Sequence, residues 1–149
     1  MIDIAAFVRE SNAIEGIYRR AYPDEVEAHQ EFLRAPEVTL SHIEALAWYL
    51  AAAKLRTKPG MDVRVGRHVP LPGGAHIADR LRTLLLKINA RDITMYDAHV
   101  AYETLHPFMD GNGRTGRALW LWMMQRDGHK VAPLGFLHTF YYQTLQGSR

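Results

Sequence analysis

Cysteine is absent from all 149 residues, so the chain can form neither disulfides nor thiolate metal sites, which fits a reducing compartment. No run of about 18 consecutive apolar residues occurs, so no transmembrane helix and no membrane partner is expected. Met1-Ile2-Asp3-Ile4 lacks the basic start and small-residue cleavage site of a secretory signal, and a cytoplasmic location is the expectation. Charge of one sign is also scarce. The net charge is +2, the arginines are scattered, and no block of like charges forms an interaction tail, so a nucleic-acid partner is not expected. What the chain does have is 48% hydrophobic residues in a length that makes one ordinary domain with a real core. No repeat, linker or low-complexity segment divides it.

Apolar residues recur at helical spacing along most of the chain. Residues 3–22 carry Ile4, Phe7, Val8, Ile14 and Tyr18 on such a pattern, with Gly16 as a bend within it. A second amphipathic stretch covers about 24–34, closed by Pro36. Ser41-His42-Ile43-Glu44 has the form of a capping box ahead of an apolar stripe through Ile43, Leu46, Ala47 and Leu50, and Lys58-Pro59-Gly60 is the expected stop. Over 61–74 the period changes to alternation, Val63 and Val65 about Arg64, then Val69 and Leu71 about Pro70, with Gly66 between and Gly73-Gly74 closing the unit. This predicts a short exposed β-hairpin whose edge is limited by Pro70 and Pro72. Helical period returns with Ile77, Leu81, Leu84, Leu85 and Ile88. Thr94, with Asp97 three residues on, caps the next helix, which should stop before Pro107 and leave His106 at its exit. Residues 114–126 are apolar on every side around Trp120 and Trp122, the mark of a central buried helix, with Gly128 as its stop. A last helix is expected over about 133–145. The fold class is therefore all-α, one helical domain with a small hairpin.

The chemistry concentrates in His106-Pro107-Phe108-Met109-Asp110-Gly111-Asn112-Gly113-Arg114-Thr115-Gly116-Arg117. Gly111 and Gly113 let the backbone approach a ligand and turn its N–H groups toward it. The loop feeds a helix start, where unsatisfied N–H groups and the positive dipole end attract phosphate. Arg114 and Arg117 leave one face of the first turn, where cations oppose the dipole unless an anion lies between them. Asp110 adds a carboxylate suited to a Mg²⁺ that bridges phosphate oxygens. His106 can accept a proton near neutral pH. Base, metal ligand and phosphate cradle together describe transfer from a nucleotide to a hydroxyl. The other histidines, His99 and His129 among them, show no metal-ligand spacing.

This segment resembles the signature of Fic domain proteins, His-x-Phe-x-Asp/Glu-Gly-Asn-Gly-Arg-x-x-Arg, and every fixed position matches. A chance match is on the order of one in 10⁸ chains at average residue usage. The resemblance extends over nearly the whole chain, 1–149, and implies a helical core with a hairpin flap, a place taken here by 61–74. It implies a protein adenylyltransferase that moves AMP from ATP to a Ser, Thr or Tyr hydroxyl of a target protein, which need not be a different molecule. His106 would deprotonate that hydroxyl for attack on the α-phosphate, and Asp110 would hold Mg²⁺. Gly111, Asn112 and Gly113 would cradle the phosphates, Arg114 would contact them, and Arg117 would reach the γ-phosphate. Phe108 would pin the loop to the core. Val63, Arg64, Val65 and Val69 of the flap would hold the target backbone by strand addition.

A second motif, Ser11-Asn12-Ala13-Ile14-Glu15-Gly16, resembles the family's inhibitory motif, Ser/Thr-x-x-x-Glu-Gly/Asn. The resemblance implies that Glu15 pairs with Arg117 and displaces the γ-phosphate. Within the family Gly113 disfavours the phosphorylating toxins, which carry lysine there, while phosphocholine transfer leaves the motif nearly unchanged and AMP removal remains an alternative, since a glutamate such as Glu15 can position a hydrolytic water. A nucleotide-binding regulatory module without turnover is the contrasting reading, and intact His106 and Asp110 speak against it.

Overall fold

The computed structural model describes residues 3–128. In that span the helical period becomes α1 (Ile4–Ile14), α2 (Pro23–Leu33), α3 (Leu40–Ala51), α4 (Ala75–Asn89), α5 (Met95–Leu105) and α6 (Asn112–Arg126). The expected helix over 133–145 lies outside the described residues. None of the described helices is long and apolar enough to cross a membrane.

The all-α expectation holds, and its physical basis is a central helix. α6 buries Ala118, Leu119, Leu121, Trp122 and Met123 and packs against α1, α2, α3 and α5, as an all-round apolar helix must. α4 lays its stripe of Ile77, Leu81, Leu84, Leu85 and Ile88 into the same core and leaves Leu86 on the outer face. Gly128, at φ +71°, supplies the left-handed turn after α6, as its position suggests. Thr94 caps α5, its hydroxyl accepting the Asp97 N–H at 3.1 Å.

Four expectations need correction. The first helix does not run over 3–22 with a bend at Gly16; it ends at Ile14. Gly16 at φ +80° closes a Schellman turn, its N–H bonded to Ala13 O and that of Ile17 to Asn12 O, both at 3.0 Å. The glycine is thus a stop, and Tyr18 is left 84% exposed instead of lying on a helical stripe. At α3 the cap is Thr39 instead of Ser41. Thr39 Oγ1 accepts the His42 N–H and His42 Nδ1 accepts the Thr39 N–H at 3.0 Å, a box closed by histidine. α3 also stops at Ala51, well before Lys58-Pro59-Gly60, because Ala52 turns left-handed at φ +49°. Tertiary pairing overrides propensity there. Residues 53–56 run extended beside the loop after α5, with Met109 N–H on Lys54 O at 3.1 Å and Arg56 N–H on Pro107 O at 2.9 Å.

The hairpin over 61–74 shrinks to one antiparallel bridge, Val65 with His68, held by two 2.9 Å bonds across Gly66 and Arg67. Pro70 and Pro72 offer no N–H to a ladder. The base of the flap is held by side chains instead. Arg56 donates to Met61 O at 3.1 Å and Leu71 O at 2.8 Å, and Asp62 Oδ1 accepts the Gly73 N–H at 2.9 Å.

α1 is tied to α2 by a polar cluster built on Glu25. Its carboxylate accepts from Asn12 at 3.1 Å, from the Tyr22 N–H at 2.9 Å, and from both ends of the Arg19 guanidinium at 2.7 and 3.3 Å. Burial pushes the Glu25 carboxyl up, but the bonds from Arg19, Tyr22 and Asn12 outweigh it and hold it below the ordinary value. A depressed folded-state pKa contributes stability above the unfolded pKa and loses it as pH falls through the folded one. Glu25→Gln should therefore destabilise the protein by about 1 kcal/mol at pH 7, with faster amide exchange in α1. The gap from wild type should close as pH drops below about 4.3. Urea denaturation of both proteins across that range measures it, and a gap independent of pH would exclude the charge as its cause.

Candidate active site

His106 is the C-cap of α5 and turns left-handed at φ +49°, ψ +62°. A non-glycine residue held there costs on the order of 1 kcal/mol, so its surroundings must hold it. The loop that follows closes on itself. Asn112 Oδ1 accepts the Phe108 N–H at 2.9 Å while its Nδ2 donates to Phe108 O at 2.8 Å, and Phe108 is buried completely. The Asn112 side chain is therefore a clamp on the loop, and what it offers an anion is its main-chain N–H. Thr115 Oγ1 donates to Gly111 O at 2.9 Å and meets the Tyr102 hydroxyl at 2.5 Å, which fixes the first turn of α6 on α5.

The loop and the start of α6 open into a cleft of about 630 Å³. It is lined by His106, Asp110, Gly111, Asn112, Gly113, Arg114 and Arg117, by Glu15 from the turn after α1, and by Val63, Arg64 and Val65 of the flap. Sequence positions from 15 to 117 thus converge on one helix N-terminus. Val69 does not join them; it is 68% exposed and faces a separate groove against α4 and α5, because the chain reverses at Gly66. Ser11 and Phe108 lie beneath the cleft, and Gly16 acts by ending α1 instead of touching it.

Both arginines are buried at the positive end of α6. Arg117 donates from Nε to Ser11 Oγ at 2.8 Å and from Nη2 to Ser11 O and Glu15 Oε1, each at 2.9 Å. The Ser11-to-Gly16 motif thus reaches Arg117 with its hydroxyl, a carbonyl and its carboxylate. Arg114 Nε is buried without a hydrogen-bond partner among the described residues. A buried guanidinium donor left in that condition is costly and favours an incoming anion. Behind the arginines His29 donates from Nδ1 to Glu25 O at 2.7 Å. Burial lowers its pKa below the usual range, the charges of Arg114 and Arg117 push the same way, and the imidazole stays neutral.

Asp110 Oδ1 accepts the Gly111 N–H at 2.7 Å, and the carboxylate stands at the cleft mouth. Among the described residues no group of three or more His, Cys, Asp or Glu could hold a metal ion. A Mg²⁺ at Asp110 fits only in the way hard cations bind nucleotides, through one or two carboxylates completed by phosphate oxygens and water.

One residue of the cleft wall, Glu103, and one buried behind it, Arg56, were not singled out in the sequence. Glu103, 4% exposed, lies one turn before His106, a spacing that signals a shared helix face, and its carboxylate packs where Gly116 has no side chain. Arg56 carries no such signal, since its neighbours in space are remote in the chain.

A model of the Fic/DOC family matches residues 37–124, more than half of the chain. The match takes in α3 to α6 with the loop from His106 to Arg117, and not α1 or α2. No curated protein matches the sequence significantly.

The geometry makes Gly113 a steric condition for the Glu15 contact. A Cβ at 113 would lie 2.3 Å from Glu15 Oε1 and 3.1 Å from Arg117 Nη1. Gly→Ala in a helix ordinarily stabilises by about 0.5–1 kcal/mol. Gly113→Ala should be neutral or stabilising in a Glu15→Ala background and destabilising in wild type, with a coupling of about 1 kcal/mol or more. A double-mutant cycle by urea denaturation measures it, and zero coupling would place the carboxylate away from Arg117.

Proposed function

This chain belongs to the Fic/DOC family, and we propose that it is a protein adenylyltransferase whose N-terminal helix holds it in an inhibited state. The observation that carries the reading is the convergence on the start of α6. One cleft holds the His106 imidazole, the Asp110 carboxylate and two buried arginines, one of them already paired with Glu15.

With the proton on Nδ1, which faces Glu103 O at 3.4 Å, His106 Nε2 is the proton acceptor. It takes the proton of the target hydroxyl as that oxygen attacks the α-phosphorus of ATP. The bond from the α-phosphorus to the bridging oxygen breaks, pyrophosphate leaves, and AMP stays on the target oxygen. The N–H groups of Gly111, Asn112 and Gly113 and the guanidinium of Arg114 face the phosphates, with the positive end of α6 behind them. Mg²⁺ at Asp110 would supply charge neutralisation between phosphates. Val63 and Val65 border the same cleft and suit alignment of the target strand, with hydrogen bonds to an extended main chain setting its direction.

Inhibition follows from the Arg117 contacts. The γ-phosphate has to displace a charged hydrogen bond, worth roughly 1.5–3 kcal/mol, and also meets the like charge of Glu15. A cytoplasmic setting, where ATP and Mg²⁺ abound, is part of the same proposal.

His106→Ala should abolish covalent transfer from α-labelled ATP while calorimetry shows nucleotide affinity nearly intact, since a general base contributes about 10² to 10⁴ in rate and not the phosphate contacts. Transfer persisting near the wild-type rate would overturn the mechanism. Glu15→Ala should tighten ATP binding about tenfold or more, leave ADP binding nearly unchanged, and raise transfer. If ATP and ADP respond alike, the contact is not a specific obstruction of the γ-phosphate.

A further inference from the structure

Arg56 has no accessible surface, yet among the described residues its guanidinium forms no ion pair of the kind seen at Arg117. Its hydrogen bonds to the described residues all run to main-chain carbonyls. Nε donates to His106 O at 2.7 Å and Nη2 to Leu105 O at 2.9 Å, while Nη1 serves Met61 O at 3.1 Å and Leu71 O at 2.8 Å. Asp62 acts on it only through its charge and accepts the Gly73 N–H.

Each pair of carbonyls has its own meaning. Leu105 and His106 end α5, where carbonyls lack intrahelical partners and the dipole is negative, so a cation there is favourable. Met61 and Leu71 are the two feet of the flap that carries Val63 to Val65 into the cleft. The main chain of Arg56 repeats the link, with its N–H on Pro107 O and its O accepting the Gly74 N–H, both at 2.9 Å. A planar fork of five donors can hold four carbonyls at fixed mutual angles, and a lysine ammonium cannot.

We propose that Arg56 is a positioning residue that fixes the left-handed turn presenting His106 and ties it to the feet of the flap, so that base and target-strand rail are set as one rigid unit. This rests on the adenylyltransferase reading for its functional consequence, while the mechanical link stands on the contacts alone. Displacing the flap then moves the base, and misplacement of a base by about 1 Å costs on the order of a hundredfold in rate.

The test uses the whole chain in a Glu15→Ala background, with α-labelled ATP and self-modification as the transfer readout. That background must first label itself; if it does not, the link is judged on its structural readouts alone. Arg56→Lys should keep affinity for a non-hydrolysable ATP analogue within about threefold while transfer falls about tenfold to a hundredfold. The ring resonances of His106 and the amide exchange of Val65 and His68 should change together. Intact transfer, or a shifted flap with an unshifted His106, overturns the proposal. Arg56→Met, which removes the buried charge, repeats the comparison if the lysine variant does not fold. The unmutated chain gives an independent check. Its Arg56 Nε–H and its Val65 and His68 amides should exchange through one common opening. A flap that opens while Nε stays protected would refute the link.

Discussion

The N-terminus of α6 lies at the centre of the domain, and its positive end is the constraint around which the rest is arranged. A helix start buried there brings unsatisfied N–H groups and a positive partial charge into the interior. Arg114 and Arg117 add two full cations to the same turn, both nearly without solvent. Such a concentration of charge is tolerable only with anions or strong acceptors close by. Ser11 and Glu15 provide them for Arg117, and Arg114 Nε remains unsatisfied among the described residues. The proposed affinity for a polyanion would therefore rest on the packing itself.

The opposite problem arises at the end of α5, and it is solved the opposite way. There a negative helix end meets the cation of Arg56, held among the described residues by main-chain carbonyls. His106, the proposed base, emerges from a helix end that a buried guanidinium stabilises, and the phosphates would arrive at a helix start that buried guanidinia leave short of anions. The loop between the two is closed by Asn112 on Phe108, which keeps the separation short and fixed.

The proposed inhibitory element, α1, is built differently from the rest. α1 is short, ends at a glycine turn, and docks through the buried Phe7 and Val8 together with a few polar contacts, those of Ser11 and Glu15 on Arg117 and of Asn12 on Glu25. The Glu15 side chain remains 40% exposed. The polar contacts contribute about 1 kcal/mol each net and the two buried side chains about 1.5–3 kcal/mol each, so α1 is held by less than the elements of the main core. α3 to α6 share the apolar core and have no comparable freedom.

Much of this was legible in the residues. The stripe of α4, the all-round apolar surface of α6, the Thr94 cap and the exit at His106 each depend on neighbours a few positions apart, and local patterns are what a sequence displays. So is the loop from His106 to Arg117, because its glycines, its arginine pair and its histidine have to be adjacent in the chain to share one helix start. Ser11 and Glu15 could be named as one motif for the same reason. What the residues did not display is whatever depends on distance. Ala52 ends α3 because residues 53–56 find partners at Pro107 and Met109, and no propensity records that. The feet of the flap are held by the Arg56 and Asp62 side chains instead of by a ladder, and Val69 lies in another groove beyond the reversal at Gly66. The amino-acid sequence by itself determined the helices and the chemistry of the loop, since both follow from short-range spacing. The pairing of Glu15 with Arg117 was foreseen only through the motif's resemblance, and tertiary structure alone decided that Arg56 meets His106, because a buried cation takes the acceptors that folding brings within about 3 Å, however far along the chain they lie.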